Sequence, residues 1–533
     1  MQDKVEGFLK REGRRLVNGN GEEIFLKGVG VGNWLLPEGY MWKFYDKAAS
    51  PRQIESLISD LAGEDYAKSF WREFRDHYIT EDDIKRMKQE QWNSVRLPIN
   101  SRFVLDDNGS VKEEAFRLID TFIDWCSKHR LYVVLDLHGA PGGQTGTNID
   151  DSPNNYPELF TNRQYQEQTI DLWKFIAQRY KDKWIVAGYD LLNEPLPNEF
   201  QYKFKKELIE LYKELILAIR EVDQQHMIIL EGTHWSTNWE IFDHLFDANV
   251  SLQFHKYWSS PDVEGIKQYL TKRNELQVPI YMGEGGENNL GWYQAAFQLY
   301  DDWQISWNFW VWKKLGTTNS PCSIKPPQDW EKILEYLHGG DRPNKDTAIA
   351  IFNEYLENIK FKNCTYHENV VRSIMRRVPI KLEAEHYGYK GEGVSYHAER
   401  KNNGIEGFRE DENITISNLT TSESSLDFFY DQSHNRMANV EMCIALNKDE
   451  WVCYEVNNQK EWIPKIAIRA FVEKYVKMEL LINEQLIKEF SMEGDSKWRM
   501  FNAIGSMISS QNQSHIRMKV LEGSVRLDWI QVE

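Results

Sequence analysis

The chain has 533 residues, which is too many for one ordinary hydrophobic core and predicts two or three domains, one of them large. Hydrophobic residues make up 41% and charged residues 27%, and no apolar stretch has the length of a membrane span, so we expect no membrane-spanning segment. The 82 acidic and 64 basic residues give a formal charge of -18, which repels phosphate backbones and anionic lipids. Nucleic acid and membranes are therefore excluded as expected partners.

Aromatic residues are numerous, with 20 Trp and 25 Tyr. Flat aromatic faces stack on sugar rings, which favours a neutral carbohydrate partner, although aromatic residues also fill large cores. The five cysteines are widely spaced and indicate buried thiols rather than a disulfide or zinc framework, although Cys443 and Cys453 could approach each other across neighbouring strands. The first residues lack the apolar segment of a secretory signal, so we expect an intracellular protein or a secreted one without its leader.

Short apolar runs alternate with segments of helical period from about residue 24 to 313. The eight strand candidates are IFLKGVGVGNW, NSVRLPIN, YVVLDLHG, IVAGYDLLNEP, MIILEG, LQFHKY, PIYMGEGG and ISWNFWVWK. Segments between them, such as EEAFRLIDTFIDWCSKH and FKKELIELYKELILAIR, repeat apolar residues every three or four positions, which gives each helix one apolar stripe. Eight such strand–helix units predict a closed (β/α)8 TIM barrel of the α/β class rather than an open sheet.

The pattern changes after about residue 360. A basic connector around VVRSIMRRVP is followed by short segments that alternate apolar and polar residues, such as IKLEAEHY, WVCYEV and KIAIRAFV. Strands of this kind with polar turns are typical of an antiparallel β-sandwich. We predict a barrel domain over residues 1–360, a linker over 361–377 and a β-sandwich over 378–533.

Two glutamates end the predicted strands four and seven, as Asn193-Glu194-Pro195 and Gly283-Glu284-Gly285. Reactive groups of a (β/α)8 barrel lie at the carboxyl ends of its strands, so both carboxylates face one mouth. Glycoside cleavage through a covalent intermediate needs two carboxyl groups about 5 to 5.5 Å apart. We interpret Glu194 as the acid/base, kept protonated by partial burial and its partner's charge, and Glu284 as the ionised nucleophile. A lone glutamate at a strand end is more often a solvated rim residue, so the interpretation depends on the pair and its surrounding motifs.

The motifs around both glutamates resemble those of glycoside hydrolase family 5. DLLNEPLP is similar to the acid/base signature and PIYMGEGG to the nucleophile strand, while VRLPIN, DLHGAPGGQTG, FHKYW and WNFWVWK match in chain order over roughly residues 20 to 315. The resemblance implies a hydrolase that cleaves β-linked glucans with retention and without a catalytic cofactor.

The same resemblance implies a role for each matched residue. Arg96 would support the nucleophile, His138 and Asn193 would bind the sugar at the cleavage site, His255 would contact the acid/base region, Tyr257 would hydrogen-bond Glu284, and Trp310 would form the floor of the subsite. Each histidine could instead be a structural residue, and Trp310 could belong to the core. Trp312 competes with Trp310 because strand alternation places both on one side.

Two further motifs narrow the resemblance to fungal-type exo-β-1,3-glucanases. KGVGVGNWLLPEGYMW is similar to a segment whose acidic residue, here Glu38, contacts the non-reducing sugar, and DLHGAPGGQTGTN is similar to a longer loop motif. The implied activity is release of glucose from the non-reducing ends of β-1,3-glucan or its oligosaccharides. The chain departs from that subfamily at Thr147, which replaces an aromatic residue, and at Asn148, which replaces an aspartate but can still hydrogen-bond a hydroxyl.

Other functions remain open at this point. An endo-β-1,4-glucanase, mannanase or β-glucosidase of the same family would keep the chemistry, and an inactive carbohydrate-binding protein would lose it. The expected partner is a β-glucan or gluco-oligosaccharide, and the expected assembly is a monomer or homodimer.

The C-terminal segments, from IKLEAEHYGYKGEGVSYH to RLDWIQV, resemble carbohydrate-binding modules of families 6 and 35. This resemblance implies that Glu383, Glu385 and Asp528 hold a structural calcium ion through their oxygens, although they could equally be surface carboxylates. Tyr396 and Trp451 are the candidates for sugar stacking. A sandwich that only packs is as compatible with the sequence as one that binds sugar.

Overall fold

The computed structural model describes residues 4–399, 405–419, 426–431, 436–438, 440–458, 464–504 and 513–533. They divide into two units. The first, called the barrel unit, comprises Met1–Lys256, Tyr269–Gly286 and Ser306–His367. The second, called the sandwich unit, comprises Tyr257–Gln268, Glu287–Ile305 and Glu368–Glu533.

The barrel unit contains the predicted closed (β/α)8 barrel. A short antiparallel hairpin, β1 (Lys10–Glu12) and β2 (Arg15–Val17), precedes it. The eight parallel strands follow in chain order around the barrel, and the last pairs with the first. They are β3 (Lys27–Gly30), β4 (Ser94–Asn100), β5 (Tyr132–Gly139), β6 (Val186–Asp190), β7 (Met227–Glu231), β8 (Val250–His255), β9 (Ile280–Gly286) and β10 (Ser306–Trp310). Each of the eight apolar runs in the sequence overlaps one of these strands.

The helices of the described chain are α1 (Pro51–Ala62), α2 (Glu64–Tyr78), α3 (Glu81–Gln89), α4 (Ser101–Val104), α5 (Glu113–His129), α6 (Arg163–Tyr180), α7 (Phe200–Lys203), α8 (Lys205–Arg220), α9 (Lys267–Leu276), α10 (Leu290–Asp302), α11 (Trp330–Leu337), α12 (Lys345–Asn358) and α13 (Glu368–Met375). A three-stranded sheet of β11 (Lys313–Leu315), β12 (Cys322–Ile324) and β13 (Thr365–Tyr366) follows the barrel strands. No described helix has both the length and the apolar character needed to cross a membrane.

Local sequence signals explain where these helices begin and what they bury. Ser50 caps α1 by accepting a hydrogen bond from the Gln53 backbone, and Pro51 occupies the first turn, where its missing N–H costs nothing. In α5 the predicted apolar stripe is buried, and the helix ends at Arg130, which adopts a left-handed conformation. The apolar stripe therefore sets which face of α5 packs inwards.

The sandwich unit is built from antiparallel strands, as the alternating segments predict. They are β14 (Ile380–Glu383), β15 (Tyr396–His397), β16 (Thr415–Asn418), β17 (Tyr430–Asp431), β18 (Arg436–Met437), β19 (Met442–Asn447), β20 (Trp451–Asn457), β21 (Lys465–Phe471), β22 (Tyr475–Ile482), β23 (Gln485–Glu493), β24 (Trp498–Ile504) and β25 (Gln513–Val532). The first half of β25 pairs with β20 and β22, and its second half pairs with β14, β19 and β21. One long strand thus joins two groups of strands, as in sandwiches whose strands cross from one sheet to the other.

The boundary between the two units does not fall at one point in the sequence, because each unit is made of the segments that pack together. Residues 257–268 and α10 come from the barrel part of the sequence but belong to the sandwich unit. The segment 361–377, predicted as a linker, carries β13 and α13. All five cysteines have free thiols and four of them are buried.

A buried ion pair joins α3 to β11. Lys313 Nζ lies 2.8 Å from Asp83 Oδ1, both side chains are buried, and the indole N–H of Trp312 donates to the same oxygen over 2.9 Å. Burial lowers the pKa of Lys313, but the charge of Asp83 outweighs this effect and raises it. Lys313 is therefore a buried cation at neutral pH.

Replacing Asp83 with Asn should lower the free energy of unfolding by about 3 to 5 kcal/mol, because it leaves a buried ammonium group without its counter-charge. Urea unfolding followed by tryptophan fluorescence at pH 7 measures the change. The control is Asp82→Asn, an exposed neighbour in the same helix, which should change the free energy by less than about 0.5 kcal/mol. Equal stability of the two variants would contradict this account of the pair.

Candidate active site

The two glutamates singled out in the sequence meet at the carboxyl ends of the barrel strands. Glu284 lies within β9 and is 4% exposed, while Glu194 follows β6 and is half-buried. One oxygen of each carboxylate and one ring nitrogen of His255 all lie within 4.8 Å of one another. Oxygens of the two carboxylates therefore lie close to each other at one end of the barrel.

Arg96, in β4, holds the Glu284 carboxylate. Its guanidinium is fully buried and donates hydrogen bonds to Glu284 and, over 2.9 Å, to the side-chain oxygen of Asn193. The same group lies within 2.9 to 3.2 Å of three further buried carboxylates, Asp136, Asp190 and Glu231. Burial lowers the pKa of Arg96, but these surrounding charges outweigh it and raise the pKa well above its usual range. Arg96 is thus a permanent cation that orients Glu284.

The acidic groups around Arg96 are not equally ionised. Burial raises the pKa of Asp190 to about 6 and raises that of Asp136 well above its usual range, although the charge of Arg96 opposes both shifts. The cluster therefore carries less negative charge than its number of carboxylates suggests, which limits the cost of burying it.

His255 lies between the two catalytic candidates. Its Nδ1 is 2.7 Å from Glu194 Oε1 and 3.6 Å from Glu284 Oε2, and its Nε2 is 3.3 Å from Glu231 Oε1. Burial lowers the pKa of His255, but the charges of Glu231 and Glu284 and the hydrogen bond to Glu194 raise it well above its usual range. The imidazole of His255 is therefore protonated at neutral pH.

His138 and Trp310 form one wall of the same site. The two rings stack with centroids 5.6 Å apart and an angle of 1° between their planes. Burial lowers the pKa of His138 to about 4, so the ring is neutral at pH 7. Its Nδ1 lies 2.8 Å from Asp136 Oδ2 and its Nε2 3.3 Å from the Asn193 side-chain nitrogen. A neutral ring that donates at Nδ1 and accepts at Nε2 satisfies both contacts.

Trp310 is fixed by its neighbours. Its indole N–H donates to the Tyr40 hydroxyl over 2.8 Å. A Cβ on Gly32 would lie 2.5 Å from the Trp310 ring, so only glycine fits beside it at that position. The segment from Gly32 to Tyr40 thus positions the tryptophan predicted to contact sugar.

Residues 60–316 match the family model described as cellulase, glycosyl hydrolase family 5. Over these residues the barrel of this chain matches glycosyl hydrolase family 5. This match spans β4 to β10 and contains the whole cluster around Arg96. The resemblance of the sandwich unit to carbohydrate-binding modules stays a prediction.

Several named proteins are similar to this chain, mainly over the barrel. A beta-xylosidase from Phanerodontia chrysosporium is 28% identical over 350 residues, which cover 58% of this chain and 71% of the relative. A probable glucan 1,3-beta-glucosidase A from Aspergillus fumigatus is 29% identical over 273 residues, 49% of this chain and 64% of the relative. Endoglucanase C from Acetivibrio thermocellus is 24% identical over 310 residues, 46% of this chain and 87% of the relative. The chain thus spans less than two thirds of the Aspergillus protein.

Trp312 packs in the core, and its predicted contact with sugar stays a prediction. Its side chain is fully buried, its N–H donates to Asp83, and its ring lies beside Phe361 and Tyr366. The strand β10 ends at Trp310, so the alternation that would place both tryptophans on one side does not reach Trp312.

Three further residues are predicted to contact sugar or Glu284. Glu38 is buried just before the short 3-10 helix Gly39–Trp42, and its backbone N–H donates to the Asn33 side chain. Asn148 is half-buried in the loop after β5. Tyr257 opens the first segment of the sandwich unit and is half-buried. Their contacts with sugar, and the bond from Tyr257 to Glu284, stay predictions.

Sequence reasoning missed Glu231, which positions both Glu194 and His255. The backbone N–H of Glu194 donates to Glu231 Oε2 over 2.7 Å, and the Gln253 side chain donates to the other oxygen. Glu194 has a φ of 44°, a left-handed conformation that is uncommon for residues other than glycine, and this hydrogen bond helps to hold it. The sequence did contain a signal for Glu231. It is the last residue of the apolar run MIILE, and Glu284 similarly lies in the run that forms its own strand.

The predicted calcium ligands are close enough for their charges to interact, but their oxygens do not all lie within 4.8 Å of one another. Among the described residues, the sets of three acidic, cysteine or histidine side chains with ligand atoms within 4.8 Å both include Glu284. Glu383 instead bonds Lys381 over 3.0 Å, and Asp528 bonds Arg469. One oxygen of Glu385, Oε2, is buried without a hydrogen-bond partner in the described structure. A calcium site at these residues stays a prediction.

Proposed function

We propose that the protein is a retaining exo-β-1,3-glucanase that releases glucose from the non-reducing ends of β-1,3-glucan or its oligosaccharides. The separation of less than 4.8 Å between oxygens of Glu194 and Glu284 carries the proposal of retention. Inverting enzymes place their carboxyl groups about 6.5 to 9.5 Å apart to admit a water molecule, whereas retaining enzymes need about 5 to 5.5 Å. The shorter separation supports direct attack by one carboxylate.

In the first step, Glu284 attacks the anomeric carbon while Glu194 gives its proton to the leaving oxygen. The C–O bond to the leaving group breaks, and a glucosyl ester forms on Glu284. In the second step, Glu194 takes a proton from water, whose oxygen attacks the same carbon and releases Glu284. Two inversions give net retention.

The surrounding residues support these two steps. Arg96 holds the Glu284 carboxylate in place through its guanidinium, which donates a hydrogen bond to it. His255 Nδ1 lies 2.7 Å from Glu194 Oε1, so the imidazole fixes the position of this carboxyl group close to the leaving oxygen. Glu231 fixes the backbone of Glu194 and the ring of His255 together.

Two observations favour the exo mode and the β-1,3 linkage. The barrel is similar to a glucan 1,3-beta-glucosidase, and Tyr40 and Trp310 bond each other beside the segment that contains Glu38. A second candidate is a β-xylosidase, since a relative with that name aligns over more of the chain. An endo-β-1,4-glucanase is a third, because an endoglucanase is also among the relatives.

A product analysis distinguishes these activities. The full chain is incubated with laminarin, carboxymethylcellulose, mannan and xylo-oligosaccharides, and the products are separated by chromatography. Glucose alone from laminarin is expected, and proton NMR of early time points should show the β-anomer first. Mixed oligosaccharides from carboxymethylcellulose would support the endoglucanase instead, and xylose as the main product the xylosidase. An α-anomer formed first would contradict retention.

We also propose a structural calcium ion in the sandwich unit, held by oxygens of Glu383, Glu385 and Asp528. Burial raises the pKa of Glu385 well above its usual range, and the charges of Glu383 and Asp528 raise it further. Carboxylate oxygens are the donors that calcium prefers, and a divalent cation would offset the repulsion and satisfy the buried Glu385 oxygen.

Removal of calcium with a chelator should lower the melting temperature by about 5 °C relative to a sample with calcium a hundredfold above its Kd. Differential scanning calorimetry measures the shift. Glu385→Gln should abolish the difference, and the exposed control Glu473→Gln should retain it. Equal melting temperatures with and without calcium in the unmodified chain would rule the ion out.

A further inference from the structure

A cavity of about 700 Å³ lies between helices on the outer side of the barrel wall. It is lined by residues of α1, α2, α4 and α5 and of the segment around Trp34, and none of the residues bonded to Glu194 or Glu284 lines it. Small-molecule sites commonly measure about 300 to 1,000 Å³. The cavity is therefore large enough for a ligand of its own.

Aromatic rings form part of the lining. Trp34, Trp71 and Phe103 all contribute. Trp71 is held by rings on both sides, with centroids 5.3 Å from Phe70 and 5.3 Å from Phe74, so it cannot swing away. The indole N–H of Trp34 donates to the backbone carbonyl of Arg75 over 2.8 Å. This hydrogen bond ties Trp34 to α2, the helix that carries Arg75.

Charged residues of both signs line this cavity, and Arg75 is the cation that lies against its aromatic rings. Its guanidinium lies 4.9 Å from the Phe103 ring centroid and 5.8 Å from that of Trp71. It has no ion pair within 4.0 Å with any carboxylate in the described part of the chain. Burial lowers its pKa, and the nearby charge of Arg102 lowers it further, while Glu55 and Asp76 act in the opposite direction. The cation is thus desolvated on aromatic faces without a direct counter-charge.

Two more cations stand beside Arg75. Arg102 is neutralised, because it lies 2.9 Å from Glu55 and 2.6 Å from Asp151. Lys112 instead donates to the Arg102 carbonyl over 2.9 Å, and burial together with the charge of Arg102 lowers its pKa. In a chain with an excess of acidic residues, this cavity places two cations that lack a bonded carboxylate around one space.

We propose that this cavity binds a carboxylated sugar, such as a hexuronate residue, with its carboxylate on Arg75 and its ring against Phe103 and Trp71. A guanidinium pairs with a carboxylate through two parallel hydrogen bonds, and the pair is strong where water is excluded. Aromatic faces pack against the apolar face of a sugar ring, and Lys112 adds long-range attraction for the anion. The choice of a sugar among carboxylates rests on the proposed function, whereas the choice of an anion does not.

Isothermal titration calorimetry of the full chain with methyl β-D-glucuronide at pH 7 and low salt tests the proposal. We expect binding that weakens at least tenfold in Arg75→Gln and several-fold in Lys112→Gln, an exposed position whose change leaves the core intact. The matched control is Arg117→Gln, an exposed arginine on α5 outside the cavity, which should bind as the unmodified chain does. Hydrolysis of an aryl β-glucoside should be unchanged in all three variants.

Four results would overturn the proposal. They are glucuronide binding that survives Arg75→Gln, absence of binding up to about 10 mM, equal dependence on Arg75 for methyl β-D-glucoside, and tighter Arg75-dependent binding of benzoate than of the glucuronide. Tighter binding of benzoate would mean that the cavity binds an anion but that the anion is not a sugar. Because binding is measured directly, Arg75-dependent binding by a chain that hydrolyses no glucan would reject only the proposed function.

Discussion

Replacement of Glu284 with Gln is expected to lower kcat on laminarin by about 10⁴-fold or more, because the amide cannot form the ester intermediate. Gln has the same shape and can still accept a hydrogen bond from Arg96, so the barrel should remain folded. Initial rates of glucose release measure the loss, and circular dichroism confirms the fold. The control Glu275→Gln, an exposed residue of α9, should keep full activity.

A mechanism-based label tests the same residue independently of rate. A 2-deoxy-2-fluoroglucoside with a good leaving group slows both steps, and its reactive leaving group lets the intermediate accumulate. Mass spectrometry of digested protein should find the added sugar on Glu284 in the unmodified chain and no label in Glu284→Gln. Undiminished hydrolysis by that variant, or a label on another carboxylate, would show that Glu284 is not the nucleophile.

Replacement of Glu194 with Ala should lower kcat on laminarin by about 10² to 10⁴-fold, because the leaving oxygen loses its general acid. The loss should be much smaller for the formation of the intermediate from a 2,4-dinitrophenyl glycoside, whose leaving group departs without protonation. Stopped-flow release of dinitrophenol, compared with steady-state glucose release, separates the two steps.

Azide gives this variant a distinctive signature. Since the second step also lacks its base, a small anion that needs no deprotonation should attack the intermediate and restore turnover. The product should be a β-glycosyl azide. A Glu194→Ala variant that loses activity equally on both substrates and does not respond to azide would place the acid/base at another residue. Glu199→Ala serves as the control, because Glu199 is exposed and lies five residues after Glu194, directly before α7.

The positions of the two carboxylates were predictable from the sequence. The eight apolar runs fix the strand order, and the barrel rule places strand ends at one mouth, so Glu194 and Glu284 had to face each other. The motif around Arg96 likewise predicted a cation near the nucleophile. These predictions succeed because they depend on local patterns and on a fold whose geometry repeats.

The network that orients these residues was not predictable in the same way. Arg96 contacts Glu231 across 135 residues of sequence and Glu284 across 188, and no local pattern states which strand-end carboxylates will touch it. Asp190 and Glu231 end their barrel strands and so satisfy the strand-end rule as well as Glu194 and Glu284 do, but nothing further in the sequence alone marks them out. Their roles emerge only when burial and distance are known.

Trp310 and Trp312 illustrate the division most clearly. The sequence by itself determined the closed barrel, the antiparallel sandwich and the pair of facing carboxylates, since these follow from the period of apolar residues and from strand ends. Only the tertiary structure decided that Trp310 stacks on His138 while Trp312 bonds Asp83, and that α10 packs with the later residues. The spacing of apolar residues along a helix or strand indicates which of its faces is buried. Which residues pack against that face depends on contacts between distant segments, and these contacts form only when the chain folds.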